Sequence, residues 1–150
     1  MNPRIFVLNG PNLNLLGKRE PHIYGHTTLA DVEILCREAA AKWDVEMEFR
    51  QTNYEGKMVD WIQEAREVAQ AIVINAGAYT HTSVAIHDAL KSFDGTKVEL
   101  HISNPHMRDS FRHLSYVSSA ADSIAAGLGY RGYPLVVEMV ARKLSKAKAA

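Results

Sequence analysis

A chain of 150 residues with 17 basic and 17 acidic side chains carries no net charge, so it lacks the basic excess that a nucleic-acid backbone calls for. No apolar run approaches membrane-spanning length, Met1-Asn2-Pro3-Arg4 does not open a signal peptide, and Cys36, the single cysteine, has no partner for an internal disulfide. These bounds imply one cytoplasmic domain over residues 1–150, able to bury a core without staples and with no nucleic-acid or membrane partner; the Lys- and Ala-rich tail beyond about residue 144 is expected to fray and lose order.

Residues 5–8 read as a short apolar strand, and Gly10-Pro11 ends it because a Gly-Pro pair stops a strand abruptly. Thr27-Thr28 can cap a helix in which Leu29, Val32, Leu35, Cys36, Ala39 and Trp43 recur at steps of three and four. Residues 45–50 form a second strand. From about Lys57 a second helix sets Met58, Trp61, Ile62, Ala65 and Val68 on one face against Asp60, Glu64 and Glu67 on the other. Residues 71–75 are apolar without a break up to Asn75, as suits a strand buried on both faces. Ser83 caps a short helix over 84–90, residues 97–101 are a fourth strand between Asp94-Gly95 and Asn104-Pro105, and 123–126 are a weaker fifth. Pro134, in a first helical turn, opens the last helix through Val137, Val140 and Leu144. Five βα units without a linker predict a three-layer α/β sandwich, a parallel sheet with helices on both faces. The flavodoxin-like strand order 2-1-3-4-5 is the candidate, although the sequence does not by itself fix strand order.

Open parallel sheets bind ligands at the carboxyl ends of their strands, and here those ends carry amides. The first strand runs into Asn9, Asn12 and Asn14; the third ends in Asn75, followed by residues 76–83 with Tyr79, Thr80, His81 and Ser83. Asparagine offers a donor and an acceptor without charge, which suits a neutral or developing oxygen better than a metal. Taken singly, each of these side chains could equally be capping a turn. Glu99 and His101 lie two apart and so share one side of the fourth strand. A buried carboxylate is costly unless paired, and a carboxylate partner orients an imidazole and favours its protonated form, the makings of a general acid. Ile102 and Ser103 follow with backbone N–H groups available for an anion. Residues 17–25, with glycine at both ends and Pro21 inside, read as a loop able to close over the site. It carries Arg19 and Tyr24: a tyrosine needs help to act as a base because its pKa is about 10, and a guanidinium supplies it by favouring the phenolate. The ordinary alternative is an exposed aromatic beside a surface arginine.

Three features point elsewhere only superficially. Gly127-Leu128-Gly129-Tyr130-Arg131-Gly132 matches a dinucleotide-binding pattern, but the chain ends before the following strand and acidic residue that such a site requires, leaving a tight turn with close helix–sheet packing. His22 and His26 are four apart in a loop and bracket no glutamate in a zinc-binding helix, so no metal is expected. Cys36 falls on an apolar helical stripe, as an inert core thiol does.

Residues 8–17 (Leu8-Asn9-Gly10-Pro11-Asn12-Leu13-Asn14-Leu15-Leu16-Gly17), then Arg19-Glu20-Pro21 and Tyr24-Gly25, closely resemble the type II 3-dehydroquinate dehydratases. Further blocks match in order: Gln51-Thr52-Asn53 with Glu55-Gly56, residues 75–83, residues 99–104, Phe111-Arg112-His113 with Ser115, Gly127-Leu128-Gly129 and Gly132-Tyr133. The resemblance spans almost the whole chain. It implies a flavodoxin-like fold and cofactor-free dehydration of 3-dehydroquinate to 3-dehydroshikimate, an anti elimination through an enol or enolate. The reaction would serve the shikimate pathway to chorismate and aromatic amino acids, or alternatively quinate breakdown. Carried onto this chain, Tyr24 takes the proton alpha to the ketone with Arg19 keeping it deprotonated. Asn12 helps hold a water against the enolate oxygen, and His101 protonates the departing hydroxyl with Glu99 as its orienter. Ile102 and Ser103 bind the substrate carboxylate, while Asn75, His81 and Arg112 hold the ring hydroxyls. Asp88 reaches in from a neighbouring subunit, in keeping with a homododecamer built as a tetramer of trimers. Thr52, Tyr54, Ala76 and His87 stand where the family commonly has Ser, His, Pro and Arg; none removes a proposed catalytic group.

Rivals from other classes fit less well. A phosphorylated receiver domain needs acidic residues where this chain has amides, and a flavodoxin needs a hydroxyl-rich phosphate loop in place of residues 10–17. A serine hydrolase using His101 would need a Gly-x-Ser-x-Gly elbow, which is missing.

Overall fold

Alternation along two strands decides which helices cover which face of the sheet. In β1 (Arg4–Asn9), Ile5 and Val7 point one way and Phe6 and Leu8 the other; in β3 (Ala71–Asn75), Val73 opposes Ile72 and Ile74 in the same manner. Every one of these side chains is buried, so both strands are covered on both faces. The Ile5/Val7/Val73 face packs against α2 (Leu29–Ala41) and α5 (Gly132–Ala149), and the Phe6/Leu8/Ile72 face against α3 (Glu55–Val68) and α4 (Val84–Lys91). With β2 (Glu46–Gln51), β4 (Thr96–His101) and β5 (Ser123–Ala126), the sheet is parallel throughout and ordered 2-1-3-4-5, the flavodoxin-like arrangement. The computed structural model describes residues 2–149, and the side chains of Tyr24, Lys148 and Ala149 fall outside the described part.

Local chemistry sets the helix starts. Thr28 Oγ1 accepts the Asp31 N–H at 3.2 Å while Asp31 Oδ2 accepts the Thr28 N–H at 3.0 Å, a reciprocal cap for α2. Ser83 Oγ accepts the Ile86 N–H at 2.9 Å and starts α4. Helix α3 begins two residues earlier than its apolar stripe indicates, at Glu55, whose carboxylate sits in the first turn where the helix dipole favours it. Cys36 lies in the core on α2, and burial pushes its thiol up to about 12, which keeps it inert. No helix among the described residues is long and apolar enough to cross a membrane.

One segment differs from the sequence reading. The loop at 17–25 contains a single helical turn, α1 (Pro21–Tyr24), with Pro21 at its first position and left-handed backbone at Glu20 (φ 47°) and Gly25 (φ 79°) on either side. Four residues are too few to show a helical period. The carboxyl ends of β1 and β3 are tied directly together, with the Gly10 N–H donating to the Asn75 carbonyl at 2.8 Å. A Cβ at Gly10 would fall 2.2 Å from the Ala76 carbonyl oxygen, so the approach demands glycine.

Candidate active site

The segments leaving β1, β3 and β4 enclose one pocket, lined by Asn12, Arg19, Asn75, His81, His101, Ile102, Ser103 and Arg112, all singled out from the sequence. Glu99 lies directly behind His101, and Asp88 is exposed on α4 outside this pocket. The side chain of Tyr24 is outside the described residues; its backbone ends α1, on the segment that carries Arg19 to the pocket.

Glu99 and His101 point the same way from β4, and His101 Nε2 meets Glu99 Oε2 at 2.5 Å. Glu99 is only 2% exposed. Burial alone would raise its pKa, but hydrogen bonds from His101, Ser118 and Ser115 outweigh it and hold the carboxyl below its ordinary value. With Nε2 taken up by the carboxylate, Nδ1 is the ring nitrogen left for a ligand. No local pattern in the sequence assigns Ser115 and Ser118 to the site. They lie in the turn after Arg112, far along the chain from Glu99, and only the fold brings them to its oxygens.

His81 has a different character. Its Nδ1 is 2.8 Å from the Leu114 carbonyl, which can only accept, so Nδ1 carries the hydrogen. Burial lowers the pKa of His81, and the nearby Arg112 guanidinium works in the same direction against the carbonyl hydrogen bond. A neutral ring with Nδ1 protonated leaves Nε2 as an acceptor.

Asn12 sits in a left-handed conformation (φ 70°) at the head of a 3-10 turn over Leu13–Leu15. Its N–H donates to Asn53 Oδ1 at 3.1 Å, and Gln51 Nε2 donates to the same oxygen at 3.1 Å and to the Gly10 carbonyl at 3.2 Å. This clamp fixes the backbone from which the Asn12 amide lines the pocket. On the opposite wall the glycine-rich turn grips the residues after β4: Gly129 N–H donates to the Ile102 carbonyl at 3.0 Å and Gly127 N–H to that of Ser103 at 3.2 Å. Both glycines have positive φ, so the run that imitates a dinucleotide motif is a support for the pocket wall.

Arg108 joins Arg19 and Arg112 in the lining and comes within 3.5 Å of Ser103 Oγ, while His113 Nε2 donates to the Arg108 carbonyl at 3.1 Å. Arg108 lies in an irregular segment where no period in the sequence marks it. Arg112 Nε is buried with no hydrogen-bond partner among the described residues, an unspent donor. Three guanidiniums and no carboxylate line the pocket among the described residues, so the pocket suits a small anion bearing oxygen functions.

The sequence profile described as dehydroquinase class II matches residues 3–141. The chain belongs to the class II dehydroquinase family. A 3-dehydroquinate dehydratase of Bartonella henselae is 53% identical over 148 residues, covering 99% of this chain and 100% of that protein. Another from Variovorax paradoxus is 60% identical over 139 residues, covering 89% and 95%. The crystal structure of a type II dehydroquinase from Butyrivibrio crossotus superposes with a TM-score of 0.89 at 42% identity, covering 93% of this chain and 97% of that one. Within this class II dehydroquinase the departures from the family's usual residues are structurally mild. Thr52 Oγ1 accepts the Tyr54 N–H at 3.0 Å, as a serine hydroxyl would, and Tyr54 itself is exposed. His87 Nδ1 lies 2.7 Å from the Tyr116 carbonyl, outside the pocket.

Proposed function

We propose that this chain is a 3-dehydroquinate dehydratase, a hydro-lyase that forms 3-dehydroshikimate and water by anti elimination, within the shikimate pathway of a cytoplasm. The observation that carries the reading is the buried Glu99–His101 pair opening into a pocket lined by three arginines. The substrate carboxylate lies against Ile102 and Ser103, drawn in by the surrounding guanidiniums. His81 Nε2 accepts from a ring hydroxyl, Asn75 donates to another, and the free Arg112 Nε–H meets a third polar group. Tyr24, kept as phenolate by Arg19, removes the proton alpha to the ketone, and the electrons pass to the carbonyl oxygen. Asn12 and a water it holds stabilise the resulting enolate, the work that preorganised dipoles do best. Collapse of the enolate expels the hydroxyl, which takes its proton from His101 while Glu99 holds the ring and balances the imidazolium. Electrons and protons are only redistributed, so the step calls for no redox cofactor.

Incubating the chelator-treated protein with 3-dehydroquinate should produce the ultraviolet absorbance of a conjugated enone. No rise at any pH would sink the reading. Tyr24→Phe should lose turnover by roughly a hundredfold or more while still binding the product, because only the proton acceptor is removed. Retained turnover in that variant would place the base elsewhere.

A further inference from the structure

Behind the pocket, Asn9 and Tyr133 are fully buried and Asn75 is 4% exposed, and the three form a hydrogen-bonded chain whose polarity is forced at both ends. At one end Asn9 Nδ2 donates to the Arg50 carbonyl at 3.0 Å. A carbonyl can only accept, so the Asn9 oxygen must face the other way. At the other end the Gly77 N–H donates to Asn75 Oδ1 at 3.2 Å, and a backbone N–H can only donate, so Asn75 Nδ2 must face inward. The group between must accept from one amide and donate to the other, and a hydroxyl does both through a single atom. Tyr133 does so, donating to Asn9 Oδ1 at 2.7 Å and accepting from Asn75 Nδ2 at 2.9 Å. Burial raises the pKa of this hydroxyl far above its usual value, against the opposing hydrogen bond from Asn75, so its proton stays in place.

We infer that Tyr133 is a positioning residue that sets the polarity of Asn75, making it present a hydrogen-bond donor to the substrate. Asn75 Nδ2 has two hydrogens; Tyr133 takes one and the other is left for a ligand oxygen. Its donor complements the acceptor at His81 Nε2, and together they read a pair of oxygens by hydrogen-bond direction. Remove the hydroxyl and Asn75 rests on a single 3.2 Å bond from Gly77, free to swing. The inference rests on the dehydratase reading given above, in which Asn75 touches the substrate.

Tyr133→Phe keeps the ring that packs against Phe49 and deletes only the hydroxyl. It should raise KM for 3-dehydroquinate roughly tenfold and leave kcat within about twofold, because the lost interaction is made equally in the ground and transition states. In an Asn75→Ala background the same change should add nothing further to KM. A second tenfold rise there would mean that the hydroxyl serves the fold and does not act through Asn75. An inactive wild type overturns the functional reading and this inference with it. An active wild type with unchanged KM in Tyr133→Phe overturns the inference alone. Should Tyr133→Phe not fold, the wild-type side-chain amide spectrum decides: the Asn75 Nδ2 hydrogen bonded to Tyr133 should exchange with solvent much more slowly than its geminal partner, and two equally fast-exchanging hydrogens would refute the assignment.

Discussion

Glu99 is a carboxylate that the chain buries and then satisfies from three sides, with His101, Ser115 and Ser118 all donating to it. Because its pKa is lowered in the fold, its contribution to stability is fully present above the ordinary carboxylate value of 4.5 and is lost as the pH falls through the lowered one. Glu99→Gln should flatten that part of an acid-unfolding titration. It should also cut kcat by roughly tenfold to a hundredfold, since the imidazolium that donates the proton loses its balancing charge. An unchanged kcat would leave Glu99 a structural group alone. At this scale the sequence discloses pairs that follow a period: Glu99 and His101 are two apart on a strand, and that spacing suffices. It does not disclose Ser115 and Ser118, or the bond from Tyr133 to Asn9, because these contacts span long stretches of chain and leave no trace in local pattern.

Elements were legible where their side chains repeat against a buried face. β3 announces itself by an unbroken apolar run, and α2 and α4 by cap residues ahead of an apolar stripe. The turn α1 was not legible, since Pro21 presets only its own φ and the four residues of the turn, set between two left-handed positions, are too few to show a period. The strand order 2-1-3-4-5, which the structure bears out, was a candidate drawn from the fold class and the family resemblance and not from local pattern, because it depends on which distant edges pair. The junction of β1 with β3 is where element geometry becomes site geometry, since Asn12 and Asn75 hang from the two ends that Gly10 brings together. Gly10→Ala would place a methyl 2.2 Å from the Ala76 carbonyl oxygen, which backbone must move to relieve. The expected result is a loss of about 1–3 kcal/mol in stability, read from the denaturant midpoint. A fall in kcat should accompany it, as Asn12 and Asn75 part company. Full stability in this variant would show that the two strand ends have more freedom than their hydrogen bond implies.

For the whole molecule, the residue that tests assembly is one that the pocket does not contain. Asp88 is exposed on α4, one helical turn beyond the half-exposed Val84, and among the described residues no hydrogen bond or ion pair holds its carboxylate. If the chain assembles as the dodecamer that the family resemblance implies, this face would enter a neighbouring subunit's site and each active centre would be the property of two chains. Shared sites have a signature that isolated ones lack. Asp88→Ala should be active only weakly, by roughly tenfold to a hundredfold less than wild type, through loss of a charged hydrogen bond. Tyr24→Phe should be weaker still. When the two variants are co-expressed, a chain with an intact Tyr24 can receive Asp88 from a partner of the other kind, restoring complete sites. Random assembly in equal amounts places both intact groups together in about a quarter of the sites, so the mixture should regain close to that fraction of wild-type activity. Activity no greater than the average of the two parents would mean that Asp88 takes no part in a neighbour's chemistry, and that each subunit works alone.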